Sequence, residues 1–211
     1  MTLAALRTAL AAATLAACHA AAQTTPRDAL SKYLQSFEAA EQFTPQTRSQ
    51  RLHAYLLSMA GPATLVAEAG AAGFSQAIGS PWQWGDGAAA YAKRFVNDMA
   101  YNAVRYSLSN LSGILLNEDD RYFASKDAGK WRRTRHAIAS VFIAHKPDGQ
   151  TVFAVSSVIG IAGASAVSRA WSPPNWQTAS ATTRSIGISV AGAAGFNVVR
   201  EFLPEIVRRL R

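Results

Sequence analysis

Three groups of side chains in this 211-residue chain have the types and spacing to do chemistry. The first is the run Glu118-Asp119-Asp120, followed by Arg121 and Tyr122. Adjacent carboxylates can hold a hard cation such as Ca²⁺, or keep one carboxyl protonated as a general acid. No EF-hand spacing follows the run, and three consecutive carboxylates do not aim at one ion, so a salt-bridging role is favoured. The second group is Lys130-Trp131-Arg132-Arg133-Thr134-Arg135-His136. Cations beside an indole suit a phosphate or an anionic head group. His136 can act as acid or base near neutral pH. His145 lies nine residues further on and off the same helix face, so no His-x-x-x-His metal pair exists and no metal site is expected. The simplest expectation is that the acidic loop and the basic helix start neutralise each other in one internal ion-pair cluster. The third group is Arg94, Asp98, Asn102 and Arg105, whose offsets place them on one face of a helix. Two guanidinium groups flanking Asp98 could take an anion or a sugar. The same row also reads as a solvated face with an i,i+4 ion pair worth a few tenths of a kcal/mol, roughly, and that reading is favoured.

The catalytic candidates are therefore Asp98, Glu118, Asp119, Asp120 and His136, and the anion-binding candidates are Arg94, Arg105, Arg132, Arg133 and Arg135. No Gly-x-Ser-x-Gly elbow, phosphate-cradling Gly-rich loop, His-Glu-x-x-His or dinucleotide fingerprint occurs, so no cofactor is expected. From Gly149 to Arg200 there is neither a carboxylate nor a histidine. Any acid–base site must come mainly from residues 28–148.

The elements that must position these residues are read as helices. Pro26-Arg27-Asp28 opens a short one. Thr44 suits an N-cap before Pro45, and a helical stretch runs from Gln46 to about Ile78, kinked or split at Pro62. After a loop at Trp82–Gly85, a helix runs from Asp86 or Gly87 to about Leu116. A loop over 117–129 precedes a helix near Lys130–His145. Pro147-Asp148-Gly149 is a turn. Thr151 can cap a helix to about Trp171. That stretch has some strand character over Thr151–Val158, but helix is preferred. Another helix begins at Thr182 or Thr183 and reaches Phe202, and Pro204 starts a terminal one. The fold class is all-α, a compact multi-helix bundle.

Small residues recur four apart in three places: Ala63, Ala67, Ala71, Ser75 and Gly79; Ser156, Gly160, Ala164 and Ser168; Thr183, Gly187, Ala191 and Gly195. Each set lies along one helix ridge, where backbones can approach closely and dispersion replaces interlocking side chains. Such ridges also occur in membrane helices, and aromatic and basic residues flank several of these segments. The segments are poor in Leu and Phe, Pro62 and Glu68 interrupt the first, and mean hydropathy is only +0.02. Tightly packed soluble helices are favoured over insertion.

The N-terminus speaks to location. Arg7 is the only charge in the first 26 residues, and Ala9–Ala17 is Ala and Leu apart from Thr14. That is the pattern of a secretory signal, too short to span a bilayer stably. Leu15-Ala16-Ala17-Cys18 matches a lipobox, and Cys18 is the only cysteine in the chain. Acylation there is favoured over ordinary cleavage near Ala22. The expected organisation is a signal peptide over 1–17, a tether over 18–26 and one helical domain over 27–211. Loss of the leader removes one of 21 basic residues and none of the 13 acidic ones. An exported basic protein meets anionic lipid or cell-wall polymers before nucleic acid, so nucleic-acid binding is discounted. The excess charge also serves plain solubility.

Tyr91-Ala92-Lys93-Arg94-Phe95, Leu115–Tyr122, Trp131-Arg132-Arg133 and Gly195–Pro204 together resemble a family of exported, mostly helical bacterial envelope proteins with no assigned activity. The likeness covers about residues 80–205. It implies export and helices, and no catalytic residue. The sequence is thus read first as a cell-envelope lipoprotein whose domain is a structural or interaction module. An envelope hydrolase using the acidic loop and His136 comes second, and a membrane-embedded helical bundle third.

Overall fold

Thr47, and not Thr44, caps the first helix of the computed structural model, which describes residues 43–210. The leader, Cys18, the tether and the helix expected over 28–37 lie outside the described residues. The Thr47 hydroxyl accepts from the Gln50 amide at 3.2 Å while the Gln50 side chain accepts from the Thr47 amide at 2.9 Å. This reciprocal box satisfies two first-turn donors, which Thr44 cannot do without a Gln or Glu three residues on. Helix α1 (Arg48–Ala60) ends at Gly61, and Pro62 occupies the first position of α2 (Pro62–Ala77), giving the expected split. Helix α3 (Ala88–Leu116) is the long central element. Asn117 ends it in the left-handed region at φ 52°, and the Glu118 amide bonds back to the Gly113 carbonyl at 2.8 Å.

Helix α4 (Lys130–Ala139) is shorter than expected. Beyond a 3₁₀ turn the chain forms strand β1 (Ile143–His145), which pairs antiparallel with β2 (Thr151–Phe153). The helix expected to reach His145 and the cap expected at Thr151 are both replaced by this small hairpin. Val141–Ile143 carries β-branched and aromatic residues. The turn between the strands closes through Asp148, whose carboxylate accepts from the Gln150 amide at 2.9 Å, and through Gly149 at φ 87°. Helix α5 (Val155–Val167) continues as a 3₁₀ turn to Trp171. Helix α6 (Ala179–Leu210) runs unbroken through Pro204, so no separate terminal helix begins there. Arg133 binds both Glu201 and Glu205, holding α6 on either side of the proline.

These helices form the expected all-α bundle, with α3 at its centre and its most extensive contact made with α5. The small-residue ridge of α5 builds that seam: Ser156, Gly160, Ala164 and Ser168 are all buried. A methyl placed on Gly160 would lie 2.8 Å from the Arg105 carbonyl oxygen and 2.9 Å from Ser109 Cβ. Ser112 and Ser168 bond back to carbonyls of the preceding turn, Ser112 to Leu108 at 2.6 Å, while Ser109 and Ser165 meet the Asp120 carboxylate and the Tyr101 hydroxyl; the buried Ser156 hydroxyl has no partner among the described residues. The α2 ridge is only half-buried, and Ala72, one position round, is the residue that seals. The α6 ridge departs from expectation altogether. Thr183, Gly187, Ala191 and Gly195 are exposed, and nothing approaches a methyl built on Gly187 or Gly195 within 4 Å. The row of α6 that turns inward carries hydrogen-bonding groups. Ser189 meets Tyr101 at 2.6 Å, Asn197 donates to the Ala137 carbonyl at 3.2 Å, and Glu201 receives Arg133. Polar groups with buried partners decide the face, and a glycine row offers none.

The seam predicts opposite outcomes for two glycines. Gly160→Ala should destabilise the domain by about 1–3 kcal/mol through overpacking against backbone. Gly187→Ala should stabilise it by up to about 1 kcal/mol through helix propensity. Urea unfolding of the two variants checks this, and equal effects would contradict the assigned faces.

Candidate functional site

Each carboxylate of the acidic loop has a structural partner. Glu118, turned inward by the left-handed Asn117, is buried and accepts from the Ser156 amide at 2.8 Å. It acts as a remote N-cap for α5, whose own start offers no capping side chain. Asp119 pairs with Arg121 at 2.6 Å and bridges its backbone to His145 through bonds of 3.0 and 2.9 Å. Asp120 accepts from the Ser109 hydroxyl at 2.7 Å. The expected cluster between this loop and the basic helix start does not form. Arg133 instead turns inward to α6, with Nε 2.7 Å from Glu201 and Nη1 on Glu205, and stacks over Phe202 at 4.6 Å. Tyr122 and the Ser125 amide donate to the other Glu201 oxygen. The only ion pair between the 117–129 loop and α4 among the described residues is the loose one, 4.0 Å, from Arg132 to Asp127. The reason is topological: the loop crosses toward α5 and α6 before α4 begins, so its acids meet other elements first.

His136 faces an open cavity of about 690 Å³ that Phe43, Phe123, Lys126, Asp127 and His145 also line. Phe43 stacks on His145 with centroids 5.0 Å apart, and Phe123 meets that imidazole edge-on at 5.0 Å. The Nδ1 atoms of both histidines are buried without a hydrogen-bond partner among the described residues. Glu118, Asp119, Asp120 and Asp98 do not line this cavity. The five catalytic candidates are therefore not brought together. No group of three His, Cys, Asp or Glu side chains able to hold a metal occurs among the described residues.

The row on α3 also differs from its reading as a solvated face. Arg94 is 1 % exposed, and all its donors go inward. They reach the carbonyls of Ser80, Pro81 and Gly85 at 3.0–3.1 Å, and the Gln76 side chain. It is the pin of the 79–85 loop, and is neither an anion site nor a partner of Asp98. Arg105 lies over the Tyr106 ring at 5.3 Å. Asp98 accepts from Asn97 at 3.0 Å, and Asn97 in turn accepts from the Trp171 indole at 3.0 Å. Asn102 donates to Glu68 of α2, a residue outside every candidate group. Its signal in the sequence is that it is the sole charge between Tyr55 and Gly79. Burial raises the Glu68 pKa to about 7, with the Asp98 charge adding to the rise and Asn102 and Arg105 opposing it. Burial likewise raises Asp98 to about 6, opposed by Asn97.

The outer surface carries the remaining candidates. Lys130, Trp131, Arg132 and Arg135 are exposed, with Trp131 at 71 %. Large apolar side chains are exposed on every described helix, among them Leu56, Phe74, Leu115, Ile159 and Ile188, while the interior is mostly Ala, Ser and Gly with hydrogen-bonded charged groups. Among the described residues α6 alone is long and apolar enough to cross a membrane, over Ala179–Ile206. No family model, curated protein or solved structure matches this chain. The resemblance to exported bacterial proteins therefore adds no residue to the site.

The carboxyl pair yields a pH prediction. Glu68 and Asp98 hold their protons more tightly folded than unfolded, so their contribution is full below about pH 4 and is lost as pH rises through 6 to 7. Glu68→Gln/Asp98→Asn should therefore gain stability relative to wild type between pH 5 and 8, on the order of 2 kcal/mol after discounting for the partial exposure of Glu68. Denaturant unfolding across that range measures it, and a difference that does not vary with pH would contradict the pair.

Proposed function

We propose that this chain is an exported cell-envelope protein, tethered to a membrane through Cys18, whose helical domain is an interaction module and not a catalyst. The observation that carries this reading is the placement of large apolar side chains outside and small or paired polar ones inside. A soluble monomer exposes scattered apolar residues, but Leu56, Phe74, Leu115, Ile159 and Ile188 spread over successive helices leave extensive apolar surface for a lipid face or partner to cover. The hydrolase reading receives no comparable support, because each loop carboxylate already has a structural partner and His136 faces its cavity without them. A second reading, in which α6 crosses the bilayer, is favoured by the apolar span Ala179–Ile206.

Fractionation of cells expressing wild type and Cys18→Ser, with fatty-acid labelling and an alkaline carbonate wash, separates these readings. Wild type should take label and sediment with membranes. Cys18→Ser should be unlabelled, sediment more weakly and be released by carbonate. A carbonate-resistant Cys18→Ser protein would support the spanning helix. Wild type without label would contradict the anchor, and a Cys18→Ser protein wholly soluble at physiological salt would contradict the module's membrane affinity.

A further inference from the structure

We propose that the outer face of α4 docks the domain onto a bilayer bearing anionic head groups, an inference that rests on the reading of this domain as a membrane-associated module. Trp131, Arg135, Ile138 and Phe142 stand at offsets of four, seven and eleven, so they fall on one face of α4 and the turn that continues it. All four are exposed. The opposite face is engaged elsewhere: Arg133 is pinned to Glu201 and Glu205, Ala137 is fully buried, and its carbonyl receives Asn197. The exposed Phe153 of β2 stacks on Phe142 at 6.0 Å and extends the apolar strip onto the hairpin.

Along residues 126–142 the exposed charges are Lys126, Lys130, Arg132 and Arg135 with one acid, Asp127, which lies 4.0 Å from Arg132. Their position favours an external anion. The first turn of α4 contains Lys130, Arg132 and Arg133 and no acid, and its N-cap is Gly129 with no side chain to accept from the first-turn amides. Cations at the positive end of a helix dipole are unfavourable, and anions are bound there. Arg133 is compensated from within by Glu201 and Glu205, and Arg132 loosely by Asp127, while Lys130 and Arg135 have no carboxylate partner among the described residues. Local rules broken without internal compensation mark sites that answer to something outside the fold. An exposed Trp, Ile and Phe interleaved with cations fits the boundary between head groups and acyl chains, where the rings enter and the cations meet phosphate. An acidic polymer without apolar groups would use the charge but leave Ile138 and the Phe142–Phe153 stack uncovered.

The test uses the full chain as Cys18→Ser, so that acylation cannot supply binding, with vesicles of phosphatidylcholine alone or mixed with phosphatidylglycerol. Co-sedimentation should show binding to the mixed vesicles at least about tenfold tighter than to phosphatidylcholine, and weakened by salt. Adding Arg132→Ala or Arg135→Ala should each weaken it about fivefold. Adding Trp131→Ala should weaken it on the order of tenfold even at high salt. Lys93→Ala, an exposed cation on α3, should change it less than about twofold. Circular dichroism and thermal unfolding confirm that these surface variants fold. Vesicle binding that survives all three α4 substitutions would overturn this surface while leaving the membrane-associated reading standing. No vesicle binding by the parent chain would overturn the inference, and the cell fractionation then judges the broader reading separately. Retention on an acidic polypeptide without vesicle binding would overturn it in favour of a protein partner.

Discussion

The close approach of α5 to α3 at Gly160 is the constraint from which the remaining geometry follows. With a hydrogen in place of a side chain there, α5 lies against the Arg105 carbonyl and Ser109, and no other residue leaves room for that backbone. This position brings the start of α5 beneath the end of α3. Asn117, in the left-handed region, then turns Glu118 onto the Ser156 amide. Glu118 thereby closes α3 through its amide, caps α5 through its carboxylate and fixes where the following loop starts. From that point Asp119 reaches His145, Asp120 reaches Ser109, and Tyr122 reaches Glu201 of α6. Small residues at one seam set the path of the whole acidic loop.

Charge placement follows from the same path. An acidic loop that immediately precedes a basic helix has every opportunity to neutralise it, yet here the two look away from each other. The loop acids satisfy helix ends and neighbouring backbone, and Arg133 alone of the α4 cations turns inward. Lys130, Arg132 and Arg135 stay outside beside Trp131. The domain thus buries Glu118, Asp119 and Glu201 and presents a face whose cations and aromatic rings have few internal partners. Tyr101 ties the arrangement together, bridging Ser165 of α5 and Ser189 of α6 from the middle of α3. The result is a bundle held by hydroxyl and carboxylate contacts between small side chains, with its bulky apolar residues turned out.

Much of the fold was legible in local sequence. Pro62, Gly79–Pro81, Asn117 and Ser172–Pro174 punctuate the helices where backbone chemistry requires it, and the spacing of Ser156, Gly160, Ala164 and Ser168 announces the seam that forms. The same spacing in Thr183–Gly195 misleads, because spacing shows that a close approach is possible without showing that a partner is there. The hairpin over 143–153 escaped because three-residue strands carry too short a period to compete with flanking helices. The candidate site was less legible. Arg94 and Asp98 share a helix face, but their partners, the 79–85 loop and the Glu68 helix, come from elsewhere in the chain. The cavity joins His136 to His145 and Phe43, residues that no one-dimensional spacing relates.

The account depends on an interior of small and polar residues that is the true core, beneath an apolar exterior. Amide hydrogen exchange of the purified full chain, resolved along the helices, addresses this most directly. The amides of Ser156–Ser165 and of the α3 segment against them should be the slowest in the domain, opening only with global unfolding, while those of Thr183–Gly195 should exchange through local opening. Protection of Thr183–Gly195 equal to that of the α5 seam would mean that the exposed ridge is the buried one, and would contradict the arrangement described.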